Sequence, residues 1–188
     1  MGRMYLLLAD GFEEVEALTP ADYLRRAGIS VKLVSVSGDK TVTGSHGIPV
    51  LAEMPVSEVT TLTGEDGLIL PGGLPGATHL AASAEVDALL RKAMGASALI
   101  CAICAAPALV LAPKGMLNGR QWTCYPGAEK ETGDAARTWS PGRVVADENI
   151  ITSRAAGTAG EWSVKIIEKL LGAEAGFKTA RSVLLPEL

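Results

Sequence analysis

Apolar residues fall along this chain in two alternating rhythms: short unbroken runs, and stretches with a helical repeat. The run over 5–9 stops at Asp10-Gly11 and reads as a strand buried on both faces, not as a cleaved leader. Over 13–27 the apolar positions Val15, Leu18, Tyr23 and Leu24 follow a helical spacing, with Gly28 as the stop. Glu13, Glu14 and Glu16 crowd the first turn of that helix and Arg25 and Arg26 its last, which suits the helix dipole. Pro20 predicts a kink or a late start to the regular part.

Strands are predicted next over 31–36 and 67–70, with a hairpin or pair of edge strands over 41–51 around Gly44 to Gly47. A helix over 83–94 takes Ser83 as its N-cap. A buried strand over 98–102 leads into a short helix over 105–112 that should stop at Pro113. Strands over 144–146 and 150–152 are joined by Asp147-Glu148-Asn149 into a hairpin. A long amphipathic helix over 157–171 carries Trp162, Ile166, Ile167, Leu170 and Leu171 on its apolar side, and 173–188 holds one more helix before Pro186.

Strands alternating with helices predict an α/β protein with a mostly parallel sheet covered on both faces. Ligands of such sheets bind at the carboxyl ends of the strands. The segments of interest are then 10–16, 71–76, 103–107 and 153–158. The 188 residues show no linker, repeat or low-complexity tract and read as one domain.

Composition narrows the classes. A net charge of −4 and a pI near 5.3 argue against a nucleic-acid or membrane surface as partner. No apolar run approaches the roughly 18–20 residues that span a bilayer. Three cysteines, Cys101, Cys104 and Cys124, in a chain that needs no staples point to a reducing compartment, the cytoplasm by default.

Three features carry candidate chemistry. Cys104 lies between alanines where a buried strand meets a helix, a junction that favours a strained backbone and an exposed side chain. A helix N-terminus there should lower its thiol pKa, whereas simple packing is the alternative, as for Cys101. Pro71-Gly72-Gly73-Leu74-Pro75-Gly76 follows its own strand and either directs N–H groups into a site or merely turns the chain. Among Glu13, Glu14 and Glu16, two read as first-turn charges, while one leaves the first strand on the edge of the sheet that holds Cys104. His46 and His79 lie in or near loops, read as solvated and predict no metal site.

In this order and spacing, five landmarks make the chain resemble the ThiJ/PfpI superfamily nearly end to end, in the branch of the Parkinsonism-associated deglycase and its bacterial YajL-like relatives. They lie over 9–16, 25–28, 70–73, 102–107 and 152–158. The resemblance implies a flavodoxin-like sandwich and a homodimer with the first helix near the interface. It implies Cys104 as nucleophile, Glu16 as its acid/base partner, pocket backbone at Gly72, Gly73 and Ala105, and oxyanion donors at the last two. Tyr125, His46, Arg154 and Ala156 line the implied pocket, and no cofactor or metal is implied.

Three positions depart from the family pattern. Tyr125 stands where many relatives carry a histidine near the cysteine, His46 where human-like members have an arginine, and Ala155-Ala156 where they have Gly-Pro. The first counts against a Cys–His dyad and its peptidase or amidase chemistry. The implied activity is a deglycase or glyoxalase acting on methylglyoxal, glyoxal or their adducts. The alternative is a redox-responsive stress protein or chaperone whose Cys104 oxidises to a sulfinate.

Overall fold

The structure, a computed structural model, describes residues 2–186. Its frame is a seven-stranded sheet built from β1 (Arg3–Leu8), β2 (Ser30–Ser35), β5 (Met54–Pro55), β6 (Gly67–Leu70), β7 (Leu99–Ile103), β8 (Val144–Asp147) and β9 (Ile150–Ser153). The order across the sheet is β5-β2-β1-β6-β7-β9-β8, parallel throughout except for the β8–β9 hairpin. A separate antiparallel pair, β3 (Thr41–Thr43) and β4 (Pro49–Leu51), forms the expected hairpin.

Alternation along the strands sorts two cores. Met4, Leu6, Leu8, Ile69, Cys101 and Ile103 face α1 (Glu14–Arg26) and α4 (Ala159–Leu171), where Leu24, Trp162, Ile166 and Ile167 complete a fully buried layer. Tyr5, Leu7, Leu68, Leu70, Ile100 and Ala102 pack on the other face, against Leu80 of α2 (Gly76–Ala82) and Leu89 and Leu90 of α3 (Ala84–Gly95). Ser83 caps α3 by accepting the Val86 N–H at 3.2 Å. α5 (Ala173–Ser182) packs on α4, and of the segment read over 173–188, residues 187–188 lie outside the described part.

Several boundaries differ from the sequence reading. The helix over 105–112 is instead one π-helical turn, Pro107–Leu111, running into a 3₁₀ turn, Ala112–Lys114, that includes Pro113. Here the Ala112 N–H reaches the Pro107 carbonyl, and Pro113 has no N–H to continue a regular ladder. The long helix starts at Ala159, after a 3₁₀ turn over Ala156–Thr158. α1 runs through Pro20 and begins at Glu14, with no late start. The short elements α2 and β5, and the 3₁₀ turns Ala128–Glu131 and Gly133–Thr138, carry no periodic apolar signal.

Candidate active site

Winding reverses between β1 and β6, since β2 lies to one side of β1 and β6 to the other. In a sheet of this kind the crevice at the carboxyl ends opens there. Glu13 fixes the start of α1 in that crevice. Its carboxylate accepts the Glu16 N–H at 2.7 Å, and its own N–H donates to the Gly72 carbonyl at 3.0 Å. Glu16, 1% exposed, is thereby held against the loop after β6, where it accepts the Gly72 N–H at 2.9 Å. The Ala156 N–H, from the turn after β9, donates to it as well.

Cys104 follows the last residue of β7 in the left-handed region, with φ of 63°. For a non-glycine residue this costs about 1–2 kcal/mol. Both of its backbone groups are pinned: its N–H donates to the Ser153 carbonyl at 3.0 Å, and its carbonyl accepts the Tyr125 N–H at 2.8 Å. The side chain is thus turned back toward the crevice, hydrogen-bonded to Glu16, with the Gly73 and Ala105 N–H groups directed at its sulfur.

Two glycines are required here. A Cβ on Gly72 would sit 2.6 Å from the Cys104 Cβ and 2.7 Å from a Glu16 oxygen. Gly73 has φ of 86°, and a Cβ there would strike the Glu13 backbone nitrogen. The Gly72 N–H is spent on Glu16, which leaves Gly73 and Ala105 as the donors beside the sulfur.

Burial pushes the Glu16 carboxyl up to about 7, opposed by its hydrogen bonds and aided by the nearby Glu13. Burial and the Glu16 charge push the Cys104 thiol up to about 12, which reverses the lowering expected from a helix N-terminus. The segment after Cys104 offers the Ala105 N–H but no regular helix, so the dipole is too small to offset desolvation. Thiol and carboxyl titrate as a hydrogen-bonded pair: the first proton leaves near 7 and the second near 12. Between those values the pair holds one proton and one negative charge.

The remaining residues divide. Ala156 belongs to the site through its N–H. Its turn is set by Thr158 Oγ1, which lies 2.7 Å from Ser153 Oγ and accepts the Ala155 N–H at 3.1 Å. Tyr125 borders Cys104 through its backbone, while its side chain is half exposed. Arg154 lines a cleft with Tyr125, Ala155 and Thr158 and donates to the Pro141 carbonyl at 2.8 Å.

His46 does not turn to the thiol. Its ring Nδ1 sits 2.8 Å from Glu14 Oε2 and its backbone N–H donates to Glu14 Oε1. Glu14 is therefore no solvated first-turn charge but a buried carboxylate, held at about 2 by its bonds from His46 and Ile48 in spite of desolvation. His46, still exposed, is raised in turn by Glu14. His79 Nδ1 lies 2.8 Å from the Asp10 carbonyl. Among the described residues Glu13, Glu14 and His46 bring possible ligand atoms within 4.8 Å of one another, contrary to the reading of histidines without acids nearby. Because both Glu14 oxygens already accept N–H or O–H groups, hydrogen bonding accounts for that cluster.

Residues 2–169 match the DJ-1/PfpI family. The chain is 36% identical over 187 residues to the Parkinson disease protein 7 homolog of Danio rerio, covering 98% of each. It is 32% identical over 171 residues to the glutathione-independent glyoxalase DJR-1.2 of Caenorhabditis elegans, covering 91% of this chain and 89% of that one. Among solved structures, oxidized Toxoplasma gondii DJ-1 superposes with a TM-score of 0.94 at 34% identity over the whole of both chains. No described helix is long and apolar enough to cross a membrane. A seven-stranded, mostly parallel sheet with its crevice beside a strained cysteine, matched in sequence and structure along nearly its full length, makes this chain a member of the DJ-1/PfpI family.

Proposed function

We propose that the protein is a cofactor-independent glyoxalase or deglycase acting on methylglyoxal, glyoxal or their early adducts, with Cys104 as nucleophile and Glu16 as acid/base. The observation that carries this reading is the hydrogen-bonded Cys104–Glu16 pair, in which the carboxyl gives up its proton near neutral pH while the thiol keeps its own. A thiol of such high pKa reacts by handing its proton to the adjacent carboxylate as the S–C bond forms.

With methylglyoxal the sulfur adds to the aldehyde carbon, and the Cys104 proton passes to Glu16. The new oxyanion, facing the Gly73 and Ala105 N–H groups, takes that proton and becomes a hemithioacetal hydroxyl. Glu16, again a carboxylate, removes the C1 proton to give an enediolate; the hydroxyl proton passes from the C1 oxygen to the C2 oxygen, and Glu16 returns its proton to C2, leaving a lactoyl thioester. Water then attacks the thioester, the C–S bond breaks, and the sulfur recovers a proton as lactate leaves. The sum is methylglyoxal plus water to lactate and a proton. The name of the C. elegans relative supports this reaction class. Cys104→Ser and Glu16→Gln should each reduce lactate formation by at least about 10²-fold. Wild-type rates in either variant would refute the reading.

A second reading rests on the same N–H groups. Gly73, Ala105 and a protonated Glu16 form a donor set for a sulfinate on Cys104, and the chain superposes on a DJ-1 structure described as oxidized. Mass spectrometry after mild peroxide should then find two oxygens on Cys104 before any on Cys101 or Cys124, both buried; oxidation in another order would remove its motive. We further propose a cytoplasmic homodimer. Val15 and Leu18 of α1 and Ile48 and Leu51 beside it are exposed, although apolar. Light scattering that returns a monomer mass would refute the dimer.

A further inference from the structure

Beside Cys104 lies a cleft of about 330 Å³ whose walls include Tyr125, Arg143, Arg154, Ala155, Gly157 and Thr158. Tyr125 binds the Cys104 carbonyl through its backbone, and residues 155–158 form the turn that donates to Glu16, so the cleft and the thiol pocket share a rim.

The two arginines differ in what satisfies them. Arg143 is matched by Glu161, with its Nε 2.9 Å from both carboxylate oxygens. Arg154 has no carboxylate within ion-pair range among the described residues. It spends one N–H on the Pro141 carbonyl at 2.8 Å, and its guanidinium carbon lies 5.9 Å from the centre of the Trp139 ring. The carbonyl and the ring contact hold a guanidinium that retains most of its five donors. Gly157 and Thr158, which also line the cleft, lead into α4, where the Thr158 and Ala159 N–H groups are taken by the Ala155 and Ala156 carbonyls. A planar cation without a carboxylate partner, beside the exposed Tyr125, makes this cleft suited to an anion.

We propose that the cleft binds a carboxylate or phosphate carried by the substrate, so that the carbonyl compounds preferred at Cys104 are those with an anionic tail. This deepens the glyoxalase-type reading and rests on it for turnover, though not for anion binding.

The test compares hydroxypyruvaldehyde with its phosphate ester, which differ only in that tail. In wild type the ester should have a kcat/KM higher by about ten-fold or more, the scale of a charge-assisted bidentate bond. In Arg154→Gln the ratio should fall toward one, and Arg154→Lys, which keeps the charge without the fork, should retain only part of it. Binding is read separately in Cys104→Ser by tryptophan fluorescence, titrating inorganic phosphate and acetate at constant ionic strength. Trp139 lies under Arg154, whereas Trp122 and Trp162 are fully buried. Saturable quenching by phosphate alone assigns a phosphate tail and quenching by both a general anion site; either should vanish in a Cys104→Ser, Arg154→Gln double variant. Equal turnover of the two compounds by wild type, a preference that survives Arg154→Gln, or no saturable quenching would overturn the proposal. If neither compound is turned over while phosphate binds through Arg154, the glyoxalase reading fails and the anion cleft stands.

Discussion

Replacing Glu16 with glutamine removes a titration that the fold makes unfavourable, and the pH dependence of stability reports it. In the native state the carboxyl is raised from its ordinary 4.5 to about 7, chiefly by burial. A group raised on folding contributes stability that is fully present below its unfolded value and lost as pH rises through its folded value. For Glu16 the contribution is intact below about 4.5 and gone once the pH has passed about 7. A shift of about 2.5 units at ~1.4 kcal/mol per unit comes to about 3 kcal/mol, most of it lost between pH 5 and 8.

Glutamine keeps an oxygen for the Gly72 and Ala156 N–H groups but cannot ionise. Whatever fixed cost it brings cancels when the change with pH is compared between the two proteins. Contributions from Glu14 and His46 cancel in the same way, and burial keeps the Cys104 thiol above this window. Urea unfolding at pH 5 and pH 8 should therefore show wild type losing about 2–3 kcal/mol more than Glu16→Gln. In thermal melts the differential shift is about 5–10 °C for a chain of this size. Parallel stability profiles would mean that Glu16 titrates as an ordinary surface acid and would refute the reasoning.

Other outcomes follow from individual contacts. Gly72→Ala places a methyl 2.6 Å from the Cys104 Cβ, so it should cost about 1–3 kcal/mol and displace the thiol enough to lower methylglyoxal turnover by about 10²-fold. Unchanged kinetics would show that the close approach is not needed. Glu14→Gln puts an amide against the N–H groups of His46 and Ile48 and should destabilise by about 1–3 kcal/mol at pH 6. Because the Glu14 carboxyl is lowered to about 2, that loss should fade as the pH falls from about 4.5 toward 2; a loss constant down to pH 2 would argue against the ion pair. The ultraviolet absorbance of the Cys104 thiolate, read as the difference from Cys104→Ser, should appear at lower pH in Glu16→Gln than in wild type, since the carboxylate helps hold the thiol up. An unchanged or higher midpoint in Glu16→Gln would contradict this.

How much of this was legible in the sequence depended on whether the determinant was local. The unbroken run at 67–70 is β6, and Ser83 is the cap of α3, because apolar continuity and an N-terminal hydroxyl act within a few residues. The strained turn at Cys104 was also readable, as a cysteine between alanines at the end of a buried strand. α2 was not, since Ala77 and Leu80 gain their burial only against the finished sheet, and seven residues hold too little of a helical repeat. Glu14 looked like a surface acid because its partners arrive from residues 45–48, far along the chain. For the thiol, the local rule of a helix N-terminus gave the wrong sign. Desolvation by the assembled crevice outweighs two N–H groups, and no local pattern encodes it. The selection of Glu16 over Glu13 and Glu14 came from the family resemblance; in the structure it reflects Glu13 serving as the cap and Glu14 facing the hairpin.

The central claim is that burial raises the Glu16 carboxyl, hydrogen-bonded to Cys104, to about 7, where it can both take and return a proton at neutral pH. It is tested most directly by following the Glu16 side-chain carboxyl carbon by NMR as a function of pH, in wild type and in Cys104→Ala. The account expects a wild-type midpoint near 7 and, because burial is the main cause, a midpoint in Cys104→Ala that stays well above 4.5. A wild-type midpoint near 4.5 would leave a carboxylate fully ionised at neutral pH, with no proton to return there, and would contradict it.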